Sequence, residues 1–312
     1  MRLFAFSGFR YAPAAGDAGP LIAPPYDQIN ETLRDRLQAV SPYQFAHLIK
    51  PLPGAAGDPY RAAADLHAGW LASGIVARDE APALYPYTIE LADGGRRLGV
   101  LALVGYEDPT IIRPHEHTLD KPLADRLALL AATRIDLEPA LLLAEDEGGL
   151  EALLAEDVAT LPTLLEHRDA DGHRHLLARV DDPARIARYR QAVAGRTAAI
   201  ADGHHRYKVG QRFAKEHGLT SGAAAAKLAV VTSMTSPALT IDPIHRAFQE
   251  KIDLERTRSL TATVTPFHGR SGGELASAIA AAPQPALGVW VHGRDPEIWQ
   301  LGGAEDGVPP LA

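Results

Sequence analysis

The chain has 312 residues, 46% hydrophobic and 22% charged, enough apolar material to bury one large core or two modest ones. A formal net charge of −8 argues against a nonspecific nucleic-acid binder, which needs a basic surface. The absence of cysteine excludes disulfides, thiolate nucleophiles and thiolate metal ligands together, leaving hydroxyl, imidazole, carboxylate and amine chemistry.

The first residues, MRLFAFSGFRYAP, lack the apolar core of a signal peptide, and no apolar run is long enough to span a bilayer. The expected location is therefore the cytoplasm. In APPYDQI, Ala23 to Ile29, two prolines stiffen the backbone ahead of Tyr26 and Asp27, as in a loop that presents side chains. A plain turn before the next helix is the simpler reading there. Asn30 is the expected N-cap of a helix over ETLRDRLQAV. A second helix is expected over PYRAAADLHAGWLASG, with Leu66, Trp70 and Leu71 on its apolar face and Gly74 closing it.

Ala-Asp-Gly then occurs three times, at Ala92-Asp93-Gly94, Ala170-Asp171-Gly172 and Ala201-Asp202-Gly203. The first is flanked by two strand-like runs, ALYPYTIEL and RRLGVLALVGYE, and reads as a hairpin turn. The second, in PTLLEHRDADGHRHLLARV, reads the same way, with His167, His173 and His175 on the arms of a surface hairpin. The third follows the apolar run AGRTAAI and precedes a segment of helical spacing from His204 to His217, in which Val209 and Phe213 stand four apart and Gly218 supplies the stop. This Asp-Gly joins a strand to a helix, so its residues occupy a helix's first turn.

Between the first two turns, TIIRPHEHTLDKPLADRL carries a strand into Arg113-Pro114, followed by His115, Glu116, His117 and Thr118 and then the helix ADRLALLAAT. His115 and His117 alternate and can share a face to bind a metal with a carboxylate, and Glu116 can serve as a general base. A polar loop ahead of a helix explains the same letters. Beyond the third turn, KLAVVTSM reads as a buried strand. His245 and Arg246, after Pro243, form a weaker candidate, and the C-terminal segment holds one or two strands before a polar, Gly/Pro-rich tail. Helical and strand-like segments alternate irregularly, which predicts an α+β, mixed α/β fold.

The first turn from Gly203 to Arg206 is the expected phosphate site. A helix start leaves backbone N–H groups without intrahelical partners and concentrates partial positive charge. Gly203 lets the backbone approach an anion, Arg206 in an exposed turn can add a bidentate contact, and His204 and His205 can donate to phosphate or move protons.

APPYDQI, SPYQFAHLIKP, LYPYTIE, RPHEHT with ADRLALLAAT, IADGHHRY and DPIHRAF together resemble, in order and spacing, the family of domain of unknown function 1015, from about Phe6 to Phe248. That resemblance implies one family-wide unit over residues 1–312, with a division near residue 145 as the alternative and a C-terminus shortened relative to other members. More distantly, DGHHRY is similar to the Gly-Cys-His-Arg-Tyr turn of sulfiredoxin and to the related box of the ParB nucleotide-binding fold. A free serine kinase on the same fold carries a similar Asp-Gly-His turn. The resemblance implies a ParB/sulfiredoxin-like core with additional N-terminal strands and helices, and a strand-turn-helix element that holds nucleotide phosphates. His204 stands where sulfiredoxin has its catalytic cysteine, which excludes sulfinic acid reduction.

Three functions follow as expectations. The leading one is a nucleotide-binding phosphotransferase using ATP or ADP with Mg²⁺, in which Gly203, His204, His205 and Arg206 hold phosphates. Asp202 orients a histidine or helps hold Mg²⁺, and Glu116, with His115 nearby, is the base for an acceptor hydroxyl. The second is a metal-dependent phosphoester hydrolase on His115, His117, Asp202, His204 and His245. The third is a non-catalytic protein switched by nucleotide toward a protein partner.

Overall fold

Four helices among the described residues begin at side chains that satisfy the first free N–H groups. In the computed structural model, which describes residues 1–55, 57–116, 120–169, 171–240, 253–259, 261–269, 271–282 and 286–301, Asn30 accepts from Leu33 N–H at 2.9 Å. Asp58 and Asp182 do the same ahead of Pro59 and Pro183, where the missing proline N–H is no loss.

The chain runs β1 (Leu3–Phe4), β2 (Phe9–Tyr11), α1 (Glu31–Val40), α2 (Ala46–Ile49), α3 (Pro59–Ala72), β3 (Val76–Arg78), β4 (Tyr85–Glu90) and β5 (Arg96–Gly105). It continues through β6 (Ile112–Arg113), α4 (Asp120–Thr133), β7 (Ala140–Ala144), α5 (Gly149–Thr160), β8 (Leu165–Arg168) and β9 (Arg174–Leu177). Then come α6 (Pro183–Val193), β10 (Ala198–Asp202), α7 (His204–Glu216) and β11 (Ala226–Ser233).

Nine of these strands form one mixed sheet in the order β6-β10-β7-β11-β5-β4-β9-β8, with β1 on the free end of β5. Only β6 with β10 and β7 with β11 are parallel within it. The fold is mixed α/β, as the alternation of segments implies. Both hairpins expected at Asp-Gly are present, as β4–β5 and β8–β9.

β5 is apolar on both faces, the pattern of a strand covered from two sides. One face carries Val100, Ala102 and Val104, fully buried against α5 and α6 through Leu150, Leu154, Tyr189 and Val193. The opposite face, with Leu101 and Leu103, is only half-buried under the N-terminal helices. Those helices have their own core, built from Leu48, Ala63, Trp70, Ile75, Val76 and Leu129. In α3 the buried stripe is Ala63, His67 and Trp70, and Leu71, expected on that face, is 42% exposed. One residue beyond Trp70 turns the side chain about 100° around the helix, toward solvent.

Contacts divide the chain into two compact units, Met1–Leu239 and Thr240–Ala312. Residue 145 therefore lies inside the first unit, between β7 and α5. The second contains α8 (Leu254–Arg258), β12 (Thr261–Pro266), α9 (Gly272–Ala280), β13 (Ala286–Val289) and β14 (Glu297–Leu301). Its strands pair antiparallel in the order β12-β14-β13, and α9 starts with a Ser271–Glu274 capping box.

Candidate functional site

Parallel pairing of β6 with β10 delivers the residues after both strands to one end of the sheet. β10 ends at Asp202, and Gly203 turns the chain into α7 with φ +84°, in the left-handed region that favours glycine. A Cβ at this position would meet the Arg206 guanidinium at 3.0 Å and the Ala140 backbone at 3.2 Å, so the turn has no room for a side chain. No side chain caps α7, and the first intrahelical bond runs from Tyr207 N–H to Gly203 O at 2.9 Å.

Pro114 ends β6 and sends His115 and Glu116 across the start of α7. His115 N–H donates to His204 Nε2 at 3.3 Å, so the neutral His204 ring carries its proton on Nδ1. That nitrogen lies 3.3 Å from Glu116 Oε2. The His115 and His204 rings meet edge to face at 4.4 Å. His204 is 3% exposed, whereas the Glu116 side chain is 61% exposed, so a buried imidazole orients an open carboxylate. Burial lowers the His204 pKa from 6.5 to about 4, with His115 adding to the shift and Glu116 and Asp202 opposing it.

This shift predicts a pH dependence of stability. Between pH 6.5 and about 4 the unfolded chain binds a proton at His204 that the folded chain refuses, so acid favours unfolding across that window. Urea denaturation is expected to lose about 2–3 kcal/mol through it, and a His204→Gln variant is expected to lose that part of the slope.

Arg206 departs from the expectation of an exposed phosphate ligand. It is 8% exposed and turned inward, with Nη2 donating to Asp202 Oδ2 at 2.6 Å and Nη1 to the Pro139 carbonyl. The reason is packing: β7 runs antiparallel to β10, which sets Glu138–Pro139 beside the Gly203 turn, under the inner face of α7. Asp202 keeps its side chain 57% exposed, with one oxygen committed to Arg206. His205 is half-buried in the same turn. Arg113 pairs with Glu145, just past the end of β7, rather than with the His115–Glu116 group. His117, Thr118, His245 and Arg246 lie outside the described residues.

The APPYDQI loop reaches the same end of the sheet, but it buries Tyr26 at 7% exposure and leaves Asp27 in solvent. Tyr26 N–H donates to Glu138 Oε1 at 2.9 Å, and its ring lies 4.3 Å from the Arg126 guanidinium and 5.3 Å from Lys50 Nζ. Lys227, 3% exposed, pairs with Asp136 and donates to Glu138 O at 2.7 Å. Burial raises the Glu138 pKa and lowers that of Lys227. Glu138, Arg126 and Lys227 belong to this network although sequence reasoning passed over them. The available signal was a lone lysine opening an apolar strand and a Glu-Pro pair just before another.

Among the described residues, one set of three metal-ligating groups falls within 4.8 Å: Asp169, Asp171 and His173, on the exposed β8–β9 hairpin. No helix among the described residues is long and apolar enough to cross a membrane.

A mixed α/β protein is thus defined, with a histidine–carboxylate cluster at the mouth of a strand–glycine–helix turn. The chain belongs to the family described as Protein of unknown function (DUF1015), which matches residues 3–286. No curated protein and no solved structure is significantly similar to it.

Proposed function

We propose that the protein is a nucleotide-dependent phosphotransferase with a ParB/sulfiredoxin-like core, acting on a hydroxyl of a small acceptor. The observation that carries this reading is the exposed Glu116 carboxylate, oriented by buried, neutral His204 beside the uncapped, glycine-led start of α7. The helix start supplies an anion-binding terminus, and His115 and His205 stand beside it as donors. Glu116 accepts the proton of the acceptor hydroxyl as its oxygen attacks the terminal phosphorus and the nucleoside diphosphate leaves.

Asp202 offers an exposed carboxylate oxygen, a hard ligand that suits Mg²⁺, with the remaining ligands coming from phosphate and water. Bound there, the ion would neutralise charge on the phosphates. Arg206 holds the turn in shape instead of touching phosphate, because both its terminal nitrogens are engaged inside the protein. The hydrolase alternative has less support, since the His204 Nε2 it would need accepts a backbone N–H.

Isothermal titration with ATP, ADP and CTP, with and without Mg²⁺, tests the reading. Binding of at least one is expected, unchanged in a His173→Ala variant, because His173 lies on the β8–β9 hairpin and its Nδ1 accepts only from Ala92 N–H at an exposed position. No heat from any nucleotide at millimolar concentration would overturn the proposal. Binding without turnover would instead indicate a non-catalytic nucleotide switch.

A further inference from the structure

The half-covered face of the large sheet borders a chamber of about 650 Å³ that opens to solvent, within the range of about 300–1,000 Å³ usual for small-molecule sites. Its floor is made by five leucines from four strands: Leu101 and Leu103 of β5, Leu228 of β11, Leu177 of β9 and Leu165 of β8. All five are half-buried, while the residues behind them on β5 are fully buried. The wall opposite carries Phe9, Trp70 and Val76, and Phe9 meets His67 edge to face at 5.1 Å. A chamber lined this way gives water few polar partners, and its apolar surface is stabilised by an apolar guest.

The charges on the wall select the guest. Three arginines line the chamber, Arg10, Arg78 and Arg134. Arg10 is committed to Asp79, which donates nothing and accepts from Arg10 Nε at 2.9 Å. Asp136, also on the wall, is committed to Lys227 and to Leu228 N–H at 2.9 Å. Arg78 and Arg134 have no carboxylate partner among the described residues, and each guanidinium rests on an aromatic ring, Phe9 at 5.8 Å and Phe213 at 5.2 Å. Arg134 also sits at φ +57° just past α4, where glycine is the relaxed choice, so the chain keeps a long cation in a strained backbone position.

We infer that this chamber binds an amphipathic carboxylate of the fatty-acid type, its chain along the leucine floor and its anionic end at the unpaired arginines. Arginine suits that end because its fork can hold a carboxylate through two hydrogen bonds. The site is independent of the α7 turn and of the function proposed for it.

Displacement of anilinonaphthalene sulfonate fluorescence tests this with the full chain. Dodecanoate is expected to displace the dye, and dodecanol, with the same chain and no charge, to compete at least about tenfold less well, the scale of one charge-assisted hydrogen bond. The double variant Arg78→Gln/Arg134→Gln, altered only at exposed positions, is expected to bring dodecanoate down to the level of dodecanol. A Leu103→Trp variant fills the floor and is expected to weaken both. Equal competition by dodecanoate and dodecanol in the native protein would overturn the inference. So would failure of dodecanoate to displace the dye, or undiminished binding by a Leu103→Trp variant that melts like the native chain. If that variant does not fold, the arginine pair decides: unchanged preference for dodecanoate there overturns the assignment.

Discussion

Replacing Arg206 by methionine is expected to destabilise the fold by about 2–3 kcal/mol and to lower Tm by about 5–10 °C. Methionine keeps much of the volume, so the loss isolates the guanidinium. Its removal takes a donor from the Pro139 carbonyl and a neighbouring cation from the buried Glu138 carboxyl. The Asp202 contact contributes little to this figure, since that carboxylate is 57% exposed and solvent replaces its partner. Arg206→Lys is expected to recover only part of the loss, because an ammonium lacks the fork that reaches Pro139 and Asp202 together. Urea denaturation followed by tryptophan fluorescence measures the change. A variant with an unchanged midpoint but no nucleotide binding would show that the guanidinium serves ligand and not fold.

The Arg206 result bears on what the sequence could convey. Its three Asp-Gly pairs place glycine at φ +91°, +82° and +84°, so the local turn geometry is nearly the same in each. The flanking patterns nonetheless distinguish two hairpins from one helix start, because period-two and period-3.6 alternation are set by the residues that follow. The direction of Arg206 was also present in the spacing. It lies on the stripe shared with Tyr207, Val209, Gly210 and Ala214, all buried on α7. A charged side chain in a first turn invites a ligand role, and that chemical reading outweighed the periodicity. The network around Glu138 was not legible in this way. Tyr26, Arg126, Glu138 and Lys227 come from separate segments: the parallel pairing of β7 with β11 sets Glu138 beside Lys227, and the loop and α4 that carry Tyr26 and Arg126 meet Glu138 from elsewhere in the chain. The chamber beneath the N-terminal helices was equally out of reach, since β5 reads as apolar on both faces whether or not both are fully covered.

Glu116→Gln is expected to leave nucleotide affinity nearly unchanged and to slow phosphoryl transfer by about 10²–10⁴-fold, the usual contribution of a positioned general base. Glutamine keeps the size of the side chain and an amide oxygen that can face His204 Nδ1–H, so the loop over α7 stays in place. What it loses is the capacity to take a proton from a hydroxyl. ADP release in single turnovers, with free serine or water as the acceptor, separates the two quantities. Glu116→Asp keeps the carboxylate but withdraws it by one methylene, and a smaller loss, up to about 10²-fold, is expected from misplacement alone. His204→Gln perturbs the same carboxylate from behind, because the buried ring is what orients it. If Glu116→Gln weakened binding as much as turnover, the carboxylate would belong with Asp202 in holding Mg²⁺ and phosphate. Slow turnover with intact binding assigns it to the proton, because loss of a metal or phosphate contact would appear in the affinity as well.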